Sequence, residues 1–357
     1  MEPVNYQSLL LDMIDRPVFC VKDRKVIHVN TAARQMQLEP GMTIETILQK
    51  DLQAYLQMQT GCLHLTLEPA GIPCPGSVVR TEEWDVFTAE PEDIRLQAMA
   101  LAAQQLRIPL SNVMTISEQM LPVLEAQEST QKQAGQINRG LFQLLRTVSN
   151  MADAQRYTTP DALHMELCDL KSLLSESAQK ACALLEGSGR RLHFTNLKTP
   201  LFSMACPEAL ERSFFNLLSN SVKFSPKGSS IQAQVSQEDS MVHLIVENQG
   251  EGISPQVLGT IWNRYQRRPA IEDGRCGIGL GMSMVRATAS AHGGTVLIDT
   301  SPQGGTRITM TLEIRPAPAN GAVRTPILRL IDYAGGWDHG LVELADTLSY
   351  ESYCTPL

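Results

Sequence analysis

Asn216, Asn220 and Lys223 lie within Glu211-Arg-Ser-Phe-Phe-Asn-Leu-Leu-Ser-Asn-Ser-Val-Lys-Phe224. On a helix, residues four and seven apart share a face, so this spacing collects two amide oxygens and one ammonium on one side. Leu210, Phe214 and Leu217 follow the same period and mark a buried face. Mg2+ keeps several of its waters and needs only one or two protein oxygens. Asn216 and Asn220 could therefore hold a hydrated Mg2+ while Lys223 holds a phosphate chain. A polar helix face with unrelated asparagines has the same pattern.

Two glycine clusters follow. Asn248-Gln-Gly-Glu-Gly-Ile253 comes directly after an alternating apolar run, and Gly250 and Gly252 would let its backbone approach a flat ligand. Gly274-Arg-Cys-Gly-Ile-Gly-Leu-Gly281 precedes a helical pattern, so Gly277, Gly279 and Gly281 place backbone N–H groups near a helix N-terminus, where anions bind. The phosphate loop GxxxxGK[ST] is absent. A polar stretch rather than a strand precedes Gly274, which also excludes the dinucleotide-binding pattern.

The elements that must position these residues divide the chain into four. Residues 1–90 read as a small α+β module, with a hairpin over Val18–Val21 and Val26–Val29, then a helix capped at Asn30-Thr31. Strand-like runs follow at Cys62–Leu67, Val78–Val79 and Trp84–Phe87, with Gly71-Ile-Pro-Cys-Pro-Gly76 as a breaker. Residues 91–158 hold two heptad seams: Leu96, Met99, Ala103, Leu106, Leu110, Val113, Ser117 and Met120, then Ala134, Ile137, Leu141, Leu144, Val148 and Met151. Pro109 should kink the first helix and Pro122 should end it. Two such helices form an antiparallel hairpin, and pairing two copies into a four-helix bundle would bury the remaining stripe. Residues 159–316 read as an α/β sandwich, with helices at 170–185, 207–224 and 281–291 and strands at 191–195, 231–235, 242–246, 295–299 and 306–313. Residues 317–357 are a Pro/Ala-rich linker and a tail that contains Trp337-Asp-His-Gly340.

The chain has 357 residues, 43% hydrophobic and 19% charged, with a formal net charge of −8. That composition supports packed cores and argues against a nucleic-acid-coating role. No apolar run is long enough to span a bilayer. The eight cysteines lie far apart without a CxxC pair, which suits reduced, buried thiols. The expectation is a cytoplasmic, multidomain α+β protein without a membrane span or a nucleic-acid partner.

In this order and spacing, the asparagine helix and the two glycine clusters resemble the N, G1 and G2 boxes of the Bergerat-fold ATP-binding domain. Ile261-Trp-Asn-Arg-Tyr265 resembles its F box, and Gly304-Gly-Thr306 its final glycine/threonine element. With the helical hairpin before it and a start that resembles a PAS sensor module, the chain resembles a sensor histidine kinase. The resemblance implies ATP and Mg2+ as ligands. Asn216 and Asn220 would meet Mg2+ and phosphates, and Lys223 the phosphates. Gly250, Gly252, Gly277, Gly279 and Gly281 would shape the pocket, Asn248 would read adenine, and Thr306 would hold a water beside the base. It also implies a homodimer or heterodimer through residues 92–157 and a response regulator or partner kinase as partner.

The departures from that family concern chemistry. Leu106, Arg107, Pro109 and Leu110 set the register of the phosphoacceptor run, and Gln104 stands where the acceptor histidine should be. A glutamine amide does not supply an imidazole nitrogen as a nucleophile. Gln105 replaces the acidic general base, and Ile108 the residue used to position water for phosphatase chemistry. No histidine lies between residues 65 and 163. Asn248 replaces an adenine-reading aspartate, and a neutral acceptor weakens that bond, at a cost of about 1–3 kcal/mol if buried. Asn216 also stands where gyrase-like relatives place a catalytic glutamate, so no carboxylate is positioned to activate water there. The expectation is a histidine kinase homologue without an intact acceptor site, binding Mg-ATP weakly or not at all. The alternatives are an active kinase that phosphorylates a partner in trans and a pure interaction scaffold.

Overall fold

The computed structural model describes residues 11–14, 16–90, 95–124, 128–156, 163–187, 189–250, 252–253, 280–301, 304–316 and 336–354. In chain order the first strands and helices are β1 (Val18–Lys22), β2 (Lys25–Val29), α1 (Thr31–Gln35), α2 (Leu52–Gln57), β3 (Cys62–Leu67), β4 (Cys74–Arg80) and β5 (Asp85–Ala89). Two long helices follow, α3 (Arg95–Leu124) and α4 (Glu128–Arg156). The remainder are β6 (Glu166–Asp169), α5 (Leu170–Glu186), β7 (Arg191–Thr195), β8 (Phe202–Ala205), α6 (Pro207–Lys223), β9 (Ser230–Glu238), β10 (Met241–Asn248), α7 (Gly281–Ala291), β11 (Val296–Thr300), β12 (Thr306–Glu313) and α8 (His339–Glu343). They form two compact units. Among the described residues the first holds those up to Glu90, with Ile253 and Thr295–Thr300, and the second holds the rest.

In the first unit the hairpin β1–β2 turns at Asp23-Arg24, both with positive φ (51° and 62°), as a two-residue turn requires. Asn30 is fully buried and ties this corner together. Its Oδ1 accepts from the amides of Val18 and Ala33, capping α1, while its Nδ2 donates to the carbonyls of Leu11, Ile14 and Arg16. The strands run antiparallel in the order β2-β1-β5-β4-β3 over an apolar core in which Phe19 stacks on Phe87 at 4.8 Å. Two expectations are corrected here. The Gly71–Gly76 breaker is strand from Cys74 onward, with Gly76 where a Cβ would stand 2.5 Å from the Leu67 side chain. The strand predicted at 295–299 is β11, and it extends the first unit by pairing with β3, Val296 opposite His64.

The second unit begins with the antiparallel hairpin α3–α4. Ala103 packs against Val148 and Ala152, and at the other end the Ser117 hydroxyl donates to Asn138 Oδ1. The heptad seams divide between two directions. Ala103, Ala134 and Val148 of the seams are buried, with Met114, Leu145 and Ala152 beside them, whereas the seam residues Leu106, Val113, Met120, Ile137 and Leu144 are exposed. Pro122 does not end α3, which runs on to Leu124, and α3 also passes without a break through Pro109. Proline removes only its own hydrogen bond to the preceding turn, a small part of a helix this long.

A four-stranded sheet, β12-β10-β9-β7, carries the remaining helices. β10 pairs antiparallel with β12 and β9, and β7 joins β9 in parallel. The predicted alternation holds: Ile231, Ala233 and Val235 of β9 and Val242, Leu244 and Val246 of β10 are buried. α6 is buried along its length except at Glu208, Asn220 and Lys223, so every other polar residue on it needs a protein partner. A small antiparallel pair, β6–β8, was not foreseen; its Asp169 caps α5 by accepting from the Lys171 amide. The sequence places the helical hairpin, the sandwich and the tail in separate segments, and in the fold their described parts make one unit. Among the described residues no helix is long and apolar enough to cross a membrane.

Candidate functional site

α6 presents Arg212, Asn216, Ser219 and Lys223 at steps of four, three and four, a single stripe along one side. α4 lies against that stripe and contributes Arg146, whose guanidinium donates to Asn216 Oδ1 at 3.1 Å and to the Ser219 hydroxyl at 3.2 Å. The remaining partners come from the C-terminal segment. Arg146 reaches Glu343 at 3.2 Å and Asp346 at 2.8 Å. Arg212 pairs with Glu343 at 3.1 Å and with Asp153 of α4 at 2.7 Å, and donates to Asn150 Oδ1 at 3.0 Å. Lys223 Nζ meets Asp346 at 2.6 Å.

The network is nearly dry. Glu343 is fully buried, and Arg146, Arg212 and Lys223 are almost so. Three cations face three carboxylates, which is how charge survives in a low-dielectric interior. Burial alone would push the Asp346 carboxyl up, but Arg146, Lys223 and Arg139 outweigh it and hold it below the usual carboxylate range.

The segment that delivers these carboxylates is itself well anchored. Asp338 caps α8 by accepting from the Leu341 amide, and His339 Nδ1 lies 2.7 Å from the buried Glu211 carboxylate. Phe142 of α4 packs between Trp337 and Tyr353, with ring centroids 5.5 and 5.0 Å away. Leu341, Val342, Leu344, Ala345 and Leu348 are buried. Trp337-Asp-His-Gly340 of the tail thus docks on α4 and α6.

The other predicted residues form a second cluster. Asn248, at the end of β10, is buried, with Oδ1 accepting from the Thr306 amide at 3.1 Å and Nδ2 donating to Ser225 at 3.3 Å. Its oxygen, expected to read adenine, thus already holds a backbone amide. Gly250 sits where a Cβ would lie 1.9 Å from the Phe224 carbonyl oxygen, and Gly305, with φ +91°, where one would lie 2.0 Å from that of Asn248. These glycines permit close backbone packing. Gly252 is exposed. Gly281 opens α7, and a Cβ on it would stand 2.5 Å from Asn216 Oδ1, so this glycine joins the second cluster to the first. Gly277, Gly279 and Ile261–Tyr265 lie outside the described residues.

In this arrangement Asn216 does not fit a Mg2+ ligand. The lone pairs a metal would need face a guanidinium, and a second cation in contact is repelled. Asn220, one position along from the stripe, is half-exposed, and its amide has no hydrogen-bond partner among the described residues. Gln104 and Gln105 lie on α3, with the Gln105 side chain exposed and Ile108 one turn further, also exposed. Among the described residues no group of three His, Cys, Asp or Glu could hold a metal ion. Sequence reasoning missed Arg146, Arg212, Glu343 and Asp346. Arg212 carried a readable signal, because it stands four residues before Asn216 and so shares its side of the helix.

Residues 205–316 match the histidine kinase-, DNA gyrase B-, and HSP90-like ATPase family. The sensor histidine kinase CusS of Escherichia coli (strain K12) is 29% identical over 282 residues, covering 75% of this chain and 54% of that protein. The histidine protein kinase DivJ of Caulobacter vibrioides is 28% identical over 243 residues, covering 65% of this chain and 39% of that protein. The chain thus spans about half or less of the length of these relatives. The crystal structure of full-length ShkA in complex with AMPPNP superposes with a TM-score of 0.50 at 19% identity, over 62% of this chain and 47% of that one, a likeness of fold.

Proposed function

We propose that this chain, a homologue of the two-component sensor histidine kinases with an ATPase domain of that family, is a degenerate kinase that does not phosphorylate itself. Domains of this family bind ATP, usually with Mg2+. The observation that carries the reading is chemical: Gln104 and Gln105 occupy the acceptor and general-base positions, and no histidine lies between residues 65 and 163. An amide neither attacks a phosphoryl group as an imidazole does nor takes a proton at neutral pH.

In this reading residues 1–90 are a PAS-like input module, residues 91–158 the dimerisation hairpin, residues 159–316 the nucleotide domain and residues 317–357 a linker and C-terminal tail. The exposed Leu106, Val113 and Met120, each seven residues from the next, and Ile137 and Leu144 supply an apolar seam for a second hairpin. Nucleotide would bind weakly around Asn220, Lys223, Asn248 and the glycines, and output would pass through conformation and contact with a response regulator or another kinase. Incubating the full chain with γ-labelled ATP and Mg2+ tests this. The expected result is no acid-labile label on the chain; labelled phosphohistidine would overturn it.

A second reading is favoured by the retained Asn220 and Lys223: an active kinase that phosphorylates a histidine on a partner in trans. It requires measurable Mg-ATP affinity together with transfer to a heterodimer partner.

A further inference from the structure

We propose that Arg146, Arg212 and Lys223 form one anion site with two exchangeable occupants: the chain's own Glu343 and Asp346, and the phosphate chain of a nucleotide. The inference rests on reading residues 205–316 as a nucleotide-binding domain, and it adds a competitor carried by the same polypeptide. Arg146 and Arg212 join Lys223 as phosphate-binding residues, and the segment 336–354 becomes a latch across the phosphate end.

Geometry comes first. Glu343 and Asp346, three residues apart, between them contact all three cations at 2.6–3.2 Å. A carboxylate offers the same bidentate face to a guanidinium as two phosphate oxygens do. Arg146 of α4 covers Asn216 and Ser219, and the segment covers the rest of the stripe, through Glu343 on Arg212 and Asn216 and through Asp346 on Lys223.

Charge balance makes the two occupants exclusive. With the segment in place, Asp153, Glu343 and Asp346 match the three cations. Without it these cations lose two of those three carboxylates, and buried positive charge stripped of counter-ions is costly until another anion enters. A nucleotide supplies that anion, and its phosphates would compete with Asp346 for Lys223 Nζ, which that carboxylate meets at 2.6 Å.

The anchoring shows how the latch is held and what its release would free. Trp337 and Tyr353 flank Phe142, the Arg139 and Gln143 side chains donate to the Ala345 carbonyl, and a Cβ on Gly135 would collide with Cys354. All of these contacts are on α4, while Glu211, Arg212 and Lys223 are on α6. The segment therefore clasps the hairpin to the nucleotide domain, and nucleotide entry would loosen that clasp.

Calorimetric titration of the full chain with ATP, with and without Mg2+, tests the proposal on native protein and on Asp346→Asn, whose side chain retains 20% exposure and whose loss leaves the apolar anchors intact. The expected result is at least fivefold tighter ATP binding by the variant. Hydrogen exchange on the native chain gives a readout without a variant: Mg-ATP should accelerate exchange over 339–354. Equal affinities, no binding by either protein, or full protection of that segment at nucleotide saturation would each overturn the latch. These failures differ from failure of the degenerate-kinase reading, which phosphohistidine on this chain would refute whatever the affinities.

Discussion

Two helices of the second unit have opposite fates. On α3 the position that should carry phosphoryl chemistry holds Gln104, followed by an exposed Gln105. On α6 the polar set is retained, and Asn216 and Lys223 are engaged by Arg146, Glu343 and Asp346. On α3 the exposed Gln105 and Ile108 carry no buried charge. The retained set on α6 carries desolvated charge that must always be matched by something. The difference teaches that the two helices answer to different constraints, because buried ions are held in place by the cost of leaving them unpaired whereas exposed amides are not.

The contrast is sharpest in stability. Glu343→Ala strips a carboxylate from both Arg146 and Arg212 and should cost about 3–5 kcal/mol in urea denaturation. Gln105→Ala should change stability by no more than about 0.5 kcal/mol. Equal effects would erase the distinction between the helices.

Next in size is a pH effect at the start of α6. His292 is pushed down to about 4, chiefly by burial and further by Arg315, against the hydrogen bond to Thr288. Its Nε2 accepts from the Cys206 amide, at the N-cap of α6, at 3.0 Å, so the ring is held neutral. A base with a depressed folded pKa stabilises the fold above its ordinary value of 6.5 and loses that contribution as pH falls toward 4. The loss should reach about 3 kcal/mol in melts across that window. His292→Gln should lack that component of the slope, whereas no such pH dependence should arise from the α3 acceptor region.

Smaller again is Gly281→Ala, whose added methyl would meet Asn216 Oδ1 at 2.5 Å and should cost about 1–3 kcal/mol by forcing α7 and α6 apart. Least costly to the fold is Val113→Asp on the exposed stripe of α3, expected within about 0.5 kcal/mol for the single chain. Light scattering should nevertheless show the native assembly halved in mass. An unchanged mass would remove the hairpin as the dimer seam.

Much of the fold was legible because local rules governed it. Period-two alternation marked β9 and β10, Asn30 announced the cap of α1, and the boundaries of β3, β7 and α7 followed from apolar runs and flanking glycines. Pro122 misled because a proline's effect on one hydrogen bond says little about a helix held by tertiary contacts along its length. β11 was legible as a strand but not as a partner of β3, because pairing across more than 200 residues leaves no mark on either run. Asn216 and Lys223 were readable from spacing, but their occupants were not. Glu343 and Asp346 stand in a tail whose charge pattern looks like any solvated surface, and only folding brings them to Arg146, Arg212 and Lys223.

Whether this chain phosphorylates itself turns on the acceptor position. Intact-mass and peptide mass spectrometry of the full chain after incubation with Mg-ATP, worked up without acid, tests it directly. The predicted result is an unmodified chain, for the native protein and for Asp346→Asn alike, even where the variant binds nucleotide more tightly. A phosphoryl group on any histidine of this polypeptide would contradict it.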